Sequence, residues 1–210
     1  TMAGSCEKDL DILIRARYPL IFIVSYEESR IEALLRRVTG ERNKQLFVWA
    51  ATTGIRKAGD TAADERTRDP LAALEYIEKQ NIPAIFLLRD FHPYLSDPTI
   101  VRKLRDLVEN LKNTYETIVL VSPVMTIPVE LEKDVAVLDF DLPDRAEIER
   151  LLDSIVGALK EKKNISLEGL TPEVREQLVN AALGLTLNEA ENAFARVVVT
   201  DNALGPRDVE

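Results

Sequence analysis

The sequence has few of the residues on which several classes of protein depend. Its only cysteine is Cys6, so no intrachain disulfide can form, and we expect a reducing compartment such as the cytoplasm or a plastid stroma. No apolar run approaches the roughly 20 residues that span a bilayer, which excludes a membrane-spanning helix. The acidic residues between positions 134 and 144 match no calcium-loop spacing, and no metal site is predicted.

Positive charge is also in deficit. The chain carries 27 basic and 36 acidic residues, a formal net charge of −9. An acidic surface repels a phosphate backbone, so generic binding to nucleic acid is disfavoured. A nucleic-acid-handling role stays open only if the fold gathers a basic stripe on one face. Otherwise a protein is the expected partner.

Five short apolar runs are separated by stretches with helical spacing. The runs are continuously apolar rather than alternating, which is typical of strands covered on both faces in a parallel sheet. They span residues 20–24, 46–49, 84–88, 118–121 and 135–138. The pattern predicts an α/β fold with a five-stranded, mostly parallel sheet flanked by helices.

After the fifth run the pattern changes to helices alone. We therefore divide the chain into an α/β core over residues 1–143 and a small helical, lid-like part over 144–210 that includes the start of a linker. A capping box at Thr186 and Glu189 predicts the start of the last helix. The stretch from 42 to 69 contains Gly54, Gly59 and many charges, and is interpreted as a mobile loop at one edge.

The turn after the first strand lacks the chemistry of a phosphate-binding loop. Such a loop needs glycines that let backbone N–H groups surround the phosphates, and a lysine to contact their oxygens. Here the turn reads Ser25, Tyr26, Glu27, Glu28, Ser29, Arg30. Ser25 and Glu28 are expected to form a capping box, and the two glutamates would meet the positive end of the helix dipole. Residues 25–30 are thus at most a relic of a phosphate loop.

The third strand ends in a candidate metal ligand without its partner. Asp90 could hold a magnesium ion, but Phe91 follows it where a second acid would be needed to activate water. The alternative is a carboxylate that caps a nearby turn. His92 could act as a general base, yet no serine or cysteine nucleophile is recognisable as its partner. We predict no catalytic residue.

Several segments in order along the chain are similar to the AAA+ ATPases. They are 85–90, 118–123, 127–131 and 142–148, and the phrases at 17–28 and 88–92 are closer still to one family. The chain resembles the N-terminal half of the uncharacterised AAA+ family encoded in plastids and cyanobacteria. The resemblance runs from about residue 10 to about residue 208.

The resemblance implies a sheet order of 5-1-4-3-2 and a helical lid. It also implies that Asp90 is a relic of the magnesium site and that the chain is a degenerate module ahead of an intact ATPase module. Ser122 and Pro123 stand where the family has an asparagine, and Lys133 lies near the position of its trans-acting arginine. ATP and magnesium are then expected only in the adjoining module, and this chain needs no cofactor.

Two functional hypotheses follow. The first is a catalytically inactive AAA+-like module that mediates assembly, regulation or partner and client binding for an adjoining ATPase module. Its contact surfaces would be the loop over 54–69 and Phe91, His92 and Tyr94, unless the two aromatic rings instead cover the end of the sheet.

The alternative is an ATP-binding or ATP-hydrolysing domain with an atypical phosphate site. The stretch Thr52, Thr53, Gly54 with Arg56 and Lys57 nearby could hold an anion. A turn beyond a strand has the same composition.

Overall fold

The computed structural model of the chain describes residues 5–160 and 169–201. It divides into two units, Thr1–Phe140 and Asp141–Glu210. The linker start predicted at the C-terminal end lies outside the described residues. Across those residues, no helix combines the length and the apolar character needed to cross a membrane.

The first unit alternates strands and helices, with two short 3₁₀ helices at Glu65–Thr67 and His92–Ser96. The strands are β1 Leu20–Val24, β2 Gln45–Ala50, β3 Gly54–Lys57, β4 Ala63–Asp64, β5 Ala84–Arg89, β6 Glu116–Ser122 and β7 Val135–Asp139. The helices are α1 Ser5–Arg15, α2 Glu28–Glu41, α3 Pro70–Glu78 and α4 Pro98–Leu111. Asp97 caps α4 by accepting a hydrogen bond from the Thr99 backbone N–H at 2.7 Å.

The sheet has seven strands in the order β4-β3-β2-β5-β6-β1-β7. The five strands predicted from the sequence are β1, β2, β5, β6 and β7, and all are parallel. Read from β7 to β2 across the sheet, they have the expected order 5-1-4-3-2. The predicted α/β fold is confirmed. The strand count of five was too low, because β3 and β4 add an antiparallel extension beyond β2.

This extension replaces the mobile loop expected over residues 42–69. Gly54 reverses the chain with a φ of +81° and lets β3 return along β2. The Thr67 hydroxyl accepts from the Ile55 N–H at 2.7 Å, and the Trp49 indole N–H donates to the Thr67 carbonyl at 2.6 Å. These buried hydrogen bonds hold a charged, glycine-containing segment in a defined conformation.

Both faces of the sheet are covered, which explains the continuous apolar runs. In β1, Leu20 and Phe22 join a core cluster with α3 and α4, whereas Ile21 and Ile23 join a separate cluster with α1 and α2. All four side chains are at most 1% exposed. Alternation therefore places successive apolar residues in two different cores rather than in a core and in solvent.

The second unit contains three described helices: α5 Arg145–Lys160, α6 Pro172–Ala182 and α7 Leu187–Asp201. Apolar residues of all three form a third core, including Ile148, Leu152, Val174, Leu178, Ala190 and Phe194. The predicted capping box before α7 is confirmed. The Thr186 N–H donates to the Glu189 carboxylate at 2.8 Å, and the Glu189 N–H donates to the Thr186 hydroxyl at 3.2 Å.

Candidate functional site at the carboxyl edge of the sheet

The carboxyl ends of β1, β5 and β6 bring the predicted site residues to one edge of the sheet. The Ser25 N–H donates to the Ser122 carbonyl at 2.9 Å, and the Asp90 N–H donates to the Val121 carbonyl at 3.0 Å. The turn over 25–30 and the segment that begins at Asp90 thus flank the end of β6. Ligands of open α/β sheets bind at such an edge.

Helix α2 does not begin with the expected capping box. Its N-cap is Glu27, which forms no side-chain cap hydrogen bond, and Glu28 is the first helical residue. Ser25 instead accepts a hydrogen bond from the Glu27 N–H at 3.0 Å, two residues ahead. The prediction was wrong because the serine hydroxyl closes a local turn before the helix rather than capping the helix itself. Ser29 lies exposed in the first turn.

A buried ion pair occupies this helix start. The Arg30 guanidinium donates to the Glu27 carboxylate at 2.8 Å, and the two side chains are only 13% and 6% exposed. The guanidinium also lies 4.6 Å from the centre of the Phe140 ring. A helix N-terminus attracts anions, and a carboxylate near it adds a negative charge that repels a phosphate.

A second charged group joins α2 to the sheet, and the sequence analysis missed it. Glu32 accepts from Arg36 at 2.6 Å, from Arg56 at 3.2 Å and from Arg89. Burial alone would raise the pKa of Glu32, but the Arg36 hydrogen bond and the three positive charges together hold its pKa below the ordinary value. We call these residues and Glu28 the glutamate–arginine network.

The local sequence indicates only part of this network. The spacing of Glu32 and Arg36 is that of a helical i,i+4 pair, which a sequence reading can find. Arg89 is 57 residues away and Arg56 is 24 residues away, each on a different strand. Only the pairing order of the strands places them beside α2.

Glu28 is the remaining member of the network, and its surroundings disfavour the charged form of its carboxylate. Its carboxylate lies 3.6 Å from the Arg89 Nε, and its side chain is one-third exposed. Burial raises the pKa of Glu28; Arg89 opposes this, while the negative charges of Asp90 and Glu32 add to it, and the net shift is upward. Among the described atoms, the Arg89 Nε is buried without a hydrogen-bond partner.

Asp90 is an exposed carboxylate directly after β5. Its φ is +48°, in the left-handed region, and its side chain is 62% exposed. Among the described residues, the only basic group paired with it is the His92 ring, whose Nδ1 lies 4.0 Å from the Asp90 Oδ1. Within 5–160 and 169–201, no group of three or more His, Cys, Asp or Glu side chains is arranged to hold a metal.

His92 has a serine partner that the sequence did not reveal. Its Nδ1 lies 2.7 Å from the Ser122 Oγ, on the neighbouring strand and 30 residues away. Ser122 is 1% exposed, and its hydroxyl also accepts from the Val124 N–H at 3.2 Å. Asp90 approaches the same Nδ1 at 4.0 Å, whereas an orienting carboxylate in a catalytic triad binds the other ring nitrogen. The geometry fastens β5 to β6 and does not activate the serine.

The two aromatic residues after Asp90 cover the end of the sheet. Phe91 is 0% exposed and its ring centre lies 5.2 Å from that of Trp49. Tyr94 is partly buried, 5.9 Å from Trp49 and 5.6 Å from Phe91. The prediction that Phe91 contacts a partner was therefore wrong, because its ring fills a gap between the 3₁₀ helix and β2.

The atypical phosphate site proposed around Gly54 has another structural role. A Cβ at this glycine would lie 2.2 Å from the Asp64 carbonyl, so the absent side chain makes room for β4. Arg56 is already paired with Glu32. Both features serve the sheet extension.

Comparisons with known proteins give a consistent family. Residues 6–140 match the model described as SpoVK-like AAA ATPase, N-terminal domain, and residues 146–210 match the SpoVK-like AAA ATPase, second domain. The uncharacterized AAA domain-containing protein ycf46 of Guillardia theta is 35% identical over 197 residues, 92% of this chain and 37% of that protein. The ycf46 protein of Trieres chinensis is 31% identical over 204 residues, 96% of this chain and 39% of that protein.

The chain thus spans about two fifths of the length of these curated relatives. Two solved structures share the fold at low identity. A chain of the E. coli MS115-1 HORMA:CdnC:Trip13 complex aligns with a TM-score of 0.62 at 15% identity, over 98% of this chain and 76% of the other. C. elegans PCH-2 aligns with a TM-score of 0.62 at 9% identity, over 97% and 65%.

Proposed function

The chain belongs to the SpoVK-like AAA ATPase family, and from that premise we propose that it is a non-hydrolysing module of a longer AAA ATPase. Its role is assembly, regulation or partner and client binding for an adjoining ATPase module. ATP and magnesium bind in that module and not in this chain.

One observation carries the proposal: the chain's own charges fill the edge at which α/β sheets bind ligands. Arg89 ends β5 and pairs with Glu28 and Glu32, so the residue directly before the aspartate that would hold magnesium is held in ion pairs with α2. Glu27 and Arg30 occupy the start of α2 in the same way. A nucleotide would have to break both sets of ion pairs and place phosphates against carboxylates.

The length of the relatives supports a division of labour. Because the chain covers only 37% to 39% of them, the remaining three fifths leave room for a second module. In such a division, this module needs only a rigid surface and no catalytic residues. The doubly covered sheet supplies one.

The first test is isothermal titration of the chain with ATP and with ADP in the presence of magnesium, with a parallel thermal melt. We expect no heat of binding and no change in Tm at about 1 mM nucleotide, since a ligand that binds the native state raises its stability by mass action. Saturable binding would refute the proposal and favour a nucleotide-binding domain with an atypical phosphate site.

The second test uses a full-length relative. The Guillardia theta protein and a form that lacks the region matched by this chain are compared by sedimentation and by ATP hydrolysis. The shortened form should still hydrolyse ATP, but with a changed assembly mass or a changed rate. If both quantities equal those of the intact protein, this module has no part in assembly or regulation.

A further inference from the structure

Three large apolar side chains lie exposed at the carboxyl edge, on two segments that a backbone hydrogen bond joins. Tyr26, Val124 and Met125 are 79%, 52% and 62% exposed. Tyr26 follows β1 and the other two follow β6, and the Ser25 N–H joins these strand ends by its hydrogen bond to the Ser122 carbonyl. We call the three side chains, with Asp90 and His92, the edge patch.

Exposure on this scale carries information. Large apolar side chains that cluster in solvent mark interaction sites, and tyrosine is among the residues that supply most binding energy at protein interfaces. Backbone hydrogen bonds hold the patch in place, and so does the Ser122 hydroxyl, which lies 3.0 Å from the Val124 carbonyl and 2.7 Å from the His92 Nδ1. A partner would meet a preformed surface.

Asp90 places an exposed negative charge at the rim of the edge patch. Asp90 is 62% exposed, and its Oδ1 lies 4.0 Å from the His92 Nδ1. Its φ of +48° lies in the left-handed region, which aspartate adopts more readily than most residues other than glycine. The neighbouring Glu28 has a pKa raised by burial and by the Asp90 and Glu32 charges, against the attraction of Arg89. Added positive charge would relieve this crowding of carboxylates.

We propose that the edge patch binds a protein segment that presents a bulky apolar side chain next to an arginine or lysine. The inference rests on the proposed function and names the chemistry of the partner. The apolar residue packs against Tyr26, Val124 and Met125, and the cation pairs with Asp90. The same carboxylate repels nucleic acid and anionic lipid, since both present phosphates.

NMR of the methionine methyl groups can detect binding at the edge patch directly. Met125 is one of two methionines, so a chain labelled with 13C at the methionine methyl groups gives two signals, and Met125→Leu assigns the one in the patch. The probes are three synthetic decapeptides. One has a phenylalanine flanked by arginine and lysine, one has the same phenylalanine flanked by glutamates, and one keeps the cations but replaces the phenylalanine with serine.

Only the apolar and basic peptide should shift the Met125 methyl signal saturably. Tyr26→Ser and Asp90→Asn should each raise its Kd about tenfold, the effect expected for losing an anchor or a charged contact. Tyr115→Ser and Asp60→Asn are matched controls, because both residues are exposed and lie away from the edge patch, and they should leave the Kd unchanged. Emission from the buried Trp49 checks that each variant is folded.

The proposal fails if no peptide produces a saturable shift, if the acidic peptide binds as well as the basic one, or if Asp90→Asn leaves the Kd unchanged. These results are separable from the proposed function. A deletion in the full-length relative that still alters assembly would keep the module's role while assigning it to another surface.

Discussion

Two buried carboxylates, Glu32 and Glu116, show how single residues in this fold respond to opposite surroundings. Glu32 has a side chain 9% exposed and three guanidiniums around it, and its pKa is lowered although burial acts to raise it. Glu116 begins β6 at the other edge of the sheet, is 2% exposed, and its Oε1 has no hydrogen-bond partner among the described atoms. Burial raises its pKa, and hydrogen bonds from Thr114 and from the Ile82 backbone, with the charge of Lys44, only partly offset this.

We expect Glu32→Gln to destabilise the chain strongly. The substitution leaves three guanidiniums, 22% to 48% exposed, facing a neutral amide, and the loss of such charge-assisted hydrogen bonds costs about 2–3 kcal/mol. Because the folded pKa of Glu32 is lowered, its contribution is present above the unfolded pKa and is lost as the pH falls through the folded value. The free energy of unfolding in urea, compared between neutral and acid pH, checks this.

Glu28→Gln is the matched control for that variant. Glu28 belongs to the same network and is one helical turn away, but it is one-third exposed and its pKa is raised. Neutralising it should change the free energy of unfolding by less than about 1 kcal/mol. Equal effects of the two substitutions would contradict the central place given to Glu32.

Glu116→Gln should raise the stability of the chain, whereas Glu32→Gln lowers it. The folded state prefers the protonated carboxyl, so the wild type loses stability as the pH rises through the raised pKa, whereas the glutamine variant does not ionise. We expect a Tm about 2–4 °C above the wild type near pH 8 and a smaller difference near pH 4. Glu132→Gln, on an exposed side chain, should show no such pH dependence, and a gain that is equal at both pH values would disprove the argument.

At the scale of elements, the strands that the sequence predicts are those covered on both faces. Ile21 and Phe22 point into different cores, so the run is apolar without a break and marks a central strand. Strands β3 and β4 are four and two residues long and contain Gly54 and Asp64, so no apolar run identifies them. Their stability comes from contacts with residue 67, which only the folded chain brings near.

The candidate site, like the fold, has features that can be predicted from the sequence and features that cannot. The absence of glycine and lysine after β1 is readable from the chain, and so are the acidic residues there. The pairing of Glu32 with Arg89, or of His92 with Ser122, depends on strands that are neighbours in the sheet and distant in sequence. Whether Ser25 caps the helix or closes a turn depends on a shift of two residues in the helix start, from an N-cap at Ser25 to one at Glu27, which composition does not fix.

Gly54→Ala should disrupt the extension while leaving the parallel strands in place. The new Cβ would meet the Asp64 carbonyl at 2.2 Å, in a backbone conformation with φ of +81° that favours glycine. We expect a loss of about 2–4 kcal/mol from overlap and strain together. Trp49, the single tryptophan, donates to the Thr67 carbonyl, so displacement of this segment should shift its emission to longer wavelength.

Gly59→Ala separates strain from overlap. Its φ is +97°, but the nearest heavy atom to an added Cβ is an Arg36 Nη1 at 3.8 Å. Backbone strain alone should cost about 1–2 kcal/mol and leave the Trp49 emission unchanged. If both alanine variants behave alike, close packing of β4 against Gly54 is not what the glycine provides.

At the scale of the whole molecule, each unit contains its own apolar clusters. The clusters of the first unit draw on residues 10–131, and that of the second on residues 148–194, with no residue in common. A cluster that closes within one unit does not need the other to exclude water from it.

A fragment of residues 1–140 should therefore fold by itself. We expect one cooperative thermal transition and the same Trp49 emission as in the longer chain, because Trp49 and its neighbours lie in the first unit. Circular dichroism and fluorescence make the comparison. Emission typical of water-exposed indole would show that the helical unit is required for the sheet to form.

The antiparallel extension also determines what the sheet offers to other chains. Its outermost strand on that side, β4, has two residues, and one of them, Asp64, is charged and paired with Arg66 at 2.9 Å. An unpaired edge is a template on which foreign strands add and fibrils grow, and short, charged edges are poor templates. Without β3 and β4, the six-residue, largely buried β2 would form that edge, so the extension protects the protein against aggregation on this side.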